Sequence, residues 1–311
     1  MILSETTQFG FMAGFQEPTT AKATVEIAEE LGFDSLWVGD HVAFPVPILD
    51  PLLQLALASA YTTTLTLGTG IYLLPLRHPT VVAKQVTTLD FMTGGDRVIF
   101  GVGIGGEFPN EYAACGVDVH ERGARLTASI PALKQLWTGE TVSYSSPFYT
   151  FDNVTMLPAP RTQGGPPVWC GGRAKPALTR AAQIADGYIS YAITSSMFSD
   201  ALQFLEQEFD RQGREQPFGT GHLLFIRIDD DYESAFSTAN EHLSKRYAMD
   251  FSKATKKYCA LGKPEHVAEV LSGYYEAGVR HFVLDLVGPP SDREEQLRRF
   301  SEEVKPLLSF K

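Results

Sequence analysis

Eight times along this chain a short apolar run hands over to a segment with helical start and stop signals, and nothing else in the sequence restricts the fold as much. The runs cover 8–14, 34–41, 64–71, 96–103, 168–172, 187–190, 222–228 and 280–287. The segments that read as helices follow them in turn: one opened by Pro18 and stopped by Gly32, then 52–61, 79–89, about 121–137, 176–185, 197–212, 264–277 and 292–308. A strand covered on both faces shows as an unbroken apolar stretch, as Leu36-Trp37-Val38 does, whereas a half-exposed strand alternates. Eight strand–helix pairs with no second core signal predict an α/β fold, a single (β/α)8 barrel spanning 1–311. A doubly wound open sheet is the runner-up. Two stretches break the rhythm. Between 139 and 165 the chain is polar and carries Pro147, Pro158 and Pro160, and 141–144 with 148–151 predict an inserted hairpin. The stretch 229–262 predicts a second insertion containing a helix.

Composition narrows the partners. With 311 residues, 44% of them hydrophobic, the chain is long enough for a large core, and its formal net charge of -11 disfavours nucleic acid and anionic membrane as partners. A small-molecule substrate is the expected partner. Cys115, Cys170 and Cys259 are widely spaced, which argues against a disulfide framework or structural zinc and for a reducing compartment. No apolar run approaches a membrane span and no basic-then-apolar leader opens the chain, so the expected location is the cytoplasm. No metal site is expected either, because His41 and His78 lack a third ligand.

The second apolar run ends in Gly39-Asp40-His41, an acid and an imidazole at the carboxyl end of a predicted parallel strand, where α/β folds collect their active-site groups. A reaction that moves a proton needs a side chain to take or give it, and a histidine suits that role. His41 is the candidate, with Asp40 to hold the imidazole or bond a ligand above it. Glu107, on the loop after the fourth run, is a candidate second acid or base; it and Glu111 can equally serve the start of the next helix. Gly68 and Gly70 near the end of the third run mark a close approach by backbone or ligand. Gly171-Gly172-Arg173-Ala174-Lys175-Pro176, between a strand and a helix, offers free amides and two cations to a phosphate, although a plain turn into a proline-started helix looks similar. Phe44, Pro45, Phe108, Tyr112 and Tyr191 are candidates for an apolar mouth.

Taken in order, the chain resembles the luciferase-like flavin and deazaflavin oxidoreductases. The resemblance rests on Trp37-Val38-Gly39-Asp40-His41, Leu67-Gly68-Thr69-Gly70-Ile71, Leu76-Arg77-His78-Pro79, Gly101-Val102-Gly103-Ile104-Gly105, Glu121-Arg122-Gly123-Ala124-Arg125, Pro167-Val168-Trp169-Cys170-Gly171-Gly172 and Ala185-Asp186-Gly187-Tyr188. It implies one barrel with a flavin-type ring across its carboxyl-end mouth and a non-proline cis bond at Gly70-Ile71 behind that ring. It also implies Gly105 among the cofactor-binding residues, Gly171 to Lys175 as the phosphate loop, and dimers formed through barrel helices. The Asp40-His41 pair with Glu107 is similar to the deazaflavin group, which makes coenzyme F-420 the expected cofactor. Hydride transfer between it and a small organic substrate is the expected reaction. The competing readings are an FMN monooxygenase that uses molecular oxygen and a barrel that has lost its cofactor.

Overall fold

The computed structural model describes residues 1–15, 17–106 and 108–310. The chain begins with β1 (Gln8–Ala13), α1 (Pro18–Glu30), β2 (Ser35–Val38), α2 (Pro51–Ser59), β3 (Thr66–Thr69), α3 (Pro79–Thr93), β4 (Val98–Val102), α4 (Pro109–Ala114) and α5 (Arg122–Leu136). It continues with β5 (Thr141–Ser145), β6 (Thr150–Thr155), β7 (Val168–Gly171), α6 (Lys175–Ile184), β8 (Gly187–Tyr191), α7 (Ser195–Gln212) and β9 (Gly219–Ile228). The last elements are α8 (Tyr232–Tyr247), α9 (Ser252–Tyr258), β10 (Cys259–Gly262), α10 (Pro264–Glu276), β11 (His281–Leu286) and α11 (Arg293–Arg299). Local chemistry sets the helix ends. Asp50, Thr194 and Asp231 accept backbone amides at the starts of α2, α7 and α8, and Gly94 and Gly213 close α3 and α7 at φ of 89° and 61°.

β1, β2, β3, β4, β7, β8, β9 and β11 pair in that order, every pair parallel, and β11 returns to β1. This is the closed (β/α)8 barrel that the alternation predicts, and the eight strands lie where the apolar runs place them. The first interruption is an antiparallel hairpin, β5 with β6, docked on α5 by the Tyr144 hydroxyl, which donates to the Ala128 carbonyl at 2.7 Å. The second holds two helices and a strand. β9 pairs with β8 through its first half and, from Phe225 onward, with β10, so the insertion extends the wall above the point where β8 stops. Neither β10 nor α4 was signalled by the sequence. The single closing helix expected over 292–308 is instead α11 followed by one wide turn over Phe300–Val304 and a tight turn over Lys305–Leu307. Pro306 explains the break: its ring excludes the carbonyl four residues earlier and it has no N–H to give. Among the described residues no helix is long and apolar enough to cross a membrane.

Alternate strand residues divide the core in two. Phe11, Leu36, Leu67, Phe100, Leu224 and Leu284 face the helices, while Trp37, Ile99, Trp169, Ile189, Leu223 and Val283 form a separate cluster within the barrel. The two tryptophan rings meet at 5.9 Å and both stand edge-on to His281. Trp37 Nε1 donates to Ser35 Oγ at 2.9 Å, and that hydroxyl shares a 2.7 Å hydrogen bond with His281 Nε2. Glycines make room for this plug. A Cβ at Gly68 would stand 2.4 Å from Trp37, and one at Gly219 would stand 2.1 Å from Trp169. Among the strands, these glycines supply volume rather than backbone freedom.

Two predictions concern this core. Gly219→Ala should destabilise the barrel by about 1–3 kcal/mol through overpacking against Trp169, read as a shift in urea midpoint; a stabilised variant would show that the ring yields freely. The second concerns acid. Burial pushes the His281 and His222 imidazoles down from 6.5 to about 3, so both stay neutral in the folded protein. Below about pH 6.5 the unfolded chain takes up protons that the folded chain refuses. Their contribution is therefore whole above pH 6.5 and should fade as pH falls toward 3, by about 1.4 kcal/mol per pH unit for each ring. Denaturant titrations from pH 7 to 5 measure this slope, and His222→Gln should reduce it.

Candidate functional site

The carboxyl ends of β2, β3, β4 and β7 are neighbours in the barrel, and most of the residues singled out from the sequence stand on them. Asp40 is 4% exposed. Its expected role of holding His41 is corrected by the geometry: Arg77 Nη2 donates to Asp40 Oδ1 at 2.9 Å, Arg77 Nη1 donates to Oδ2, and the Leu73 amide donates to Oδ2 at 2.8 Å. The guanidinium fork fits a carboxylate with two parallel bonds, which an imidazole cannot match. Burial raises the Asp40 carboxyl above its ordinary value against the pull of Arg77 and the Leu73 amide. Burial also works against the charge on Arg77, yet Asp40 lifts its guanidinium above the ordinary value. Arg77 lies over the Tyr72 ring at 4.3 Å as well. Asp40 thus pins the segment that leaves β3 to the end of β2.

His41 has a different partner. Its Nδ1 lies 3.0 Å from Glu111 Oε2, and Glu111 Oε1 accepts the amides of Val42 at 2.5 Å and Ala43 at 3.1 Å. Phe44 stacks on the imidazole at 3.9 Å, and Phe108 stands edge-on to both rings. Glu111 sits on α4, whose Tyr112 is buried and donates its hydroxyl to the Ile104 carbonyl. Tyr112 is therefore a clamp for α4, not a lining of the mouth. A six-residue helix is too short to show a buried face by periodicity, so its spacing does not distinguish Glu111 from a residue that serves its own helix start. Glu107, the expected second acid or base, lies outside the described residues. His78 serves the start of α3, where its Nδ1 accepts the Thr80 amide at 3.3 Å.

Close to His41 along the chain lies an apolar surface in which the Met12 side chain packs against Gly39 and Gly70. Met12, Gly39, Gly70 and Ile71 are half-buried there. The Gly70-Ile71 bond is cis, as the resemblance implies, and the Gly70 amide donates to the Val38 carbonyl at 2.8 Å. The Ile71 side chain fills the space that a Cβ would take at Gly103, 1.8 Å from it, and at Gly171, 3.1 Å from it. One isoleucine thus spreads across the ends of β4 and β7. Gly105, at φ 49°, abuts Leu73. Gly172, at φ 135°, begins the exposed loop into α6. In that loop Arg173 donates to the Ala192 carbonyl at 3.3 Å, at the end of β8. Lys175 instead turns its ammonium over the Phe204 ring on α7 at 5.3 Å and lines a groove with Thr127, Thr179 and Arg180. Of the two cations, Arg173 stays with the strand-end loops.

The opposite wall comes from the second insertion, and no motif announced it. Arg246 on α8 grips Asp285 on β11 through two bonds of 2.5 and 3.1 Å and also donates to His242 Nε2 at 2.9 Å. Burial and the adjacent Arg246 charge push the His242 imidazole down to about 4. Tyr191, at the end of β8, meets Phe225 edge-on. Among the described residues no group of three or more His, Cys, Asp or Glu is placed to hold a metal ion.

The comparisons with known proteins agree with this architecture. Residues 2–281 match the family model described as luciferase-like monooxygenase. The F-420-dependent glucose-6-phosphate dehydrogenase of Microbacterium testaceum is 27% identical, the alignment covering 97% of each chain. The oxygenase component of a flavin-dependent trigonelline monooxygenase from Acinetobacter baylyi is 33% identical over 48% of this chain and 41% of its own. An F-420-dependent secondary alcohol dehydrogenase, solved with an F-420-acetone adduct, superposes at a TM-score of 0.84 with 20% identity, covering 97% of this chain and 99% of that one. At that identity the likeness is one of fold.

The Asp40–Arg77 pair generates the prediction for this region. Arg77→Met should cost about 3–5 kcal/mol because it strands a buried carboxylate, and adding Asp40→Asn should return part of that loss. Urea unfolding of the two single variants and the double variant measures the coupling; strictly additive losses would mean that the pair does not act as a unit.

Proposed function

The chain belongs to the luciferase-like monooxygenase family, and from that premise we propose that it is an oxidoreductase exchanging a hydride between coenzyme F-420 and a small organic substrate. The observation that carries this reading is His41 held by a buried carboxylate beside an apolar floor of Met12, Gly39, Gly70 and Ile71. The residues fit the group. A planar ring needs a flat surface, and here glycines stand where side chains would project while Ile71 covers the gaps at Gly103 and Gly171. The loop from Gly171 to Arg173 offers amides and one guanidinium to a phosphate. When bound, a deazaflavin supplies a ring carbon that gives or takes a hydride and disfavours one-electron chemistry.

This chain's own residues would do the rest. His41 takes the hydroxyl proton as an alcohol is oxidised, or returns it to a carbonyl in the reverse direction. The apolar floor and the Phe44 and Phe108 rings exclude water from the transferring atoms. Asp40, engaged by Arg77, holds the floor in place and takes no proton. Support for an alcohol or sugar substrate comes from the relatives named above. The likeness to a flavin-dependent oxygenase over about half of the chain favours FMN as the second reading, in which the same mouth would hold FMN for oxygen chemistry.

Titrating the purified protein with F-420 and separately with FMN, followed by fluorescence, separates the two. Saturable F-420 binding and reduction of F-420 by a panel of secondary alcohols and sugar phosphates is the expected result. Binding of FMN with none of F-420 would overturn it. His41→Ala should then lower turnover by roughly 10²–10⁴-fold and leave F-420 affinity close to that of the unmodified protein.

A further inference from the structure

We infer that Glu111 is the positioning residue of His41, and that it fixes which ring nitrogen carries the proton; the catalytic consequence rests on the role proposed for His41, but the tautomer does not. Glu111 is only 2% exposed, and its two oxygens divide their work. Oε1 accepts the Val42 and Ala43 amides and lies 3.3 Å from His41 Nδ1, whereas Oε2 makes the nearer contact to that nitrogen, at 3.0 Å. All these contacts lie on the segment that leaves β2, about 70 residues earlier in the chain, so this carboxylate is not spent on the first turn of its own helix. Backbone amides can only donate, and a carboxylate can only accept. The ring nitrogen facing Oε2 therefore carries the proton, and the neutral imidazole keeps its lone pair on Nε2.

The surroundings preserve that arrangement. The Phe44 ring lies 13° from parallel with the imidazole, and Phe108 stands at 88° to it on another side, so a ring flip requires both to move. Among the described residues Nε2 has no hydrogen-bond partner, and the side chain keeps 22% of its surface open. One buried carboxylate thus orients the ring, selects its tautomer and anchors the start of the loop that carries Phe44.

Glu111→Gln tests this directly, because the amide has the same shape. Its oxygen can still accept the Val42 and Ala43 amides, which puts the NH2 group at the nearer, 3.0 Å contact to Nδ1 and so favours the proton on Nε2. Long-range proton–nitrogen correlation spectra of the cofactor-free protein should show the Nδ1–H tautomer of His41 in the unmodified chain and the Nε2–H tautomer in the variant. F-420-linked turnover should fall by about 10²–10⁴-fold in kcat, with KM and F-420 affinity changed by less than roughly 3-fold and an unchanged melting temperature. Glu111→Asp, which keeps the charge on a shorter arm, should recover part of kcat. An Nε2–H tautomer in the unmodified protein overturns the inference, and so does a Glu111→Gln variant that retains full kcat. If no F-420-linked turnover is found with any substrate, the functional reading fails while the spectra still decide the tautomer; if Glu111→Gln does not fold, the spectrum of the unmodified protein decides it.

Discussion

The barrel's architecture depends on two tryptophans seated in space that glycines leave open. Trp37 occupies the gap at Gly68 and Trp169 the gaps at Gly187 and Gly219, and the two indoles meet on the barrel axis with His281 edge-on to both. An eight-stranded parallel barrel is just wide enough for side chains to fill. Here two large rings, with Ile99, Ile189, Leu223 and Val283 around them, supply that filling. Trp37 Cε3 lies 3.6 Å from the place of a Cβ at Gly70, which makes the indole the underside of the apolar floor. The same packing that fills the interior thus also sets the underside of that surface.

That floor is held from the side by Asp40 and Arg77. The adjacent residues Asp40 and His41 read as a natural acid–imidazole pair, yet the structure separates them. Within β2, Trp37 faces the barrel interior while Leu36 and Val38 face the helices, and past the strand's end Asp40 and His41 take separate partners, Arg77 and Glu111. Adjacency in sequence argued for partnership, but Asp40 finds its partner in Arg77, 37 residues further along the chain.

The eight strands were legible because each is a continuous apolar run, and such a run has few alternatives once helices alternate with it. The Gly70-Ile71 cis bond was legible only through resemblance, since neither glycine nor isoleucine marks one by itself. What escaped is short or depends on distant partners. α4 has six residues and β10 has four, below the length at which a period can be counted. Glu111 and the Arg246–Asp285 pair are ordinary charged residues until the fold buries them. The closing helix was overextended because its apolar spacing runs on through Pro306.

The three acids found near the strand ends differ in what holds them. Asp40 is bound by Arg77, Asp285 by Arg246 and Glu111 by His41. All three contacts offset the cost of placing a carboxylate in a poorly hydrated site. A guanidinium stays charged throughout the accessible pH range, so the first two pairs are fixed charges that shape the mouth and exchange nothing. Of the three pairs, only the one containing His41 joins a carboxylate to a ring that offers a donor on one nitrogen and an acceptor on the other, which is the arrangement that the proposed function uses.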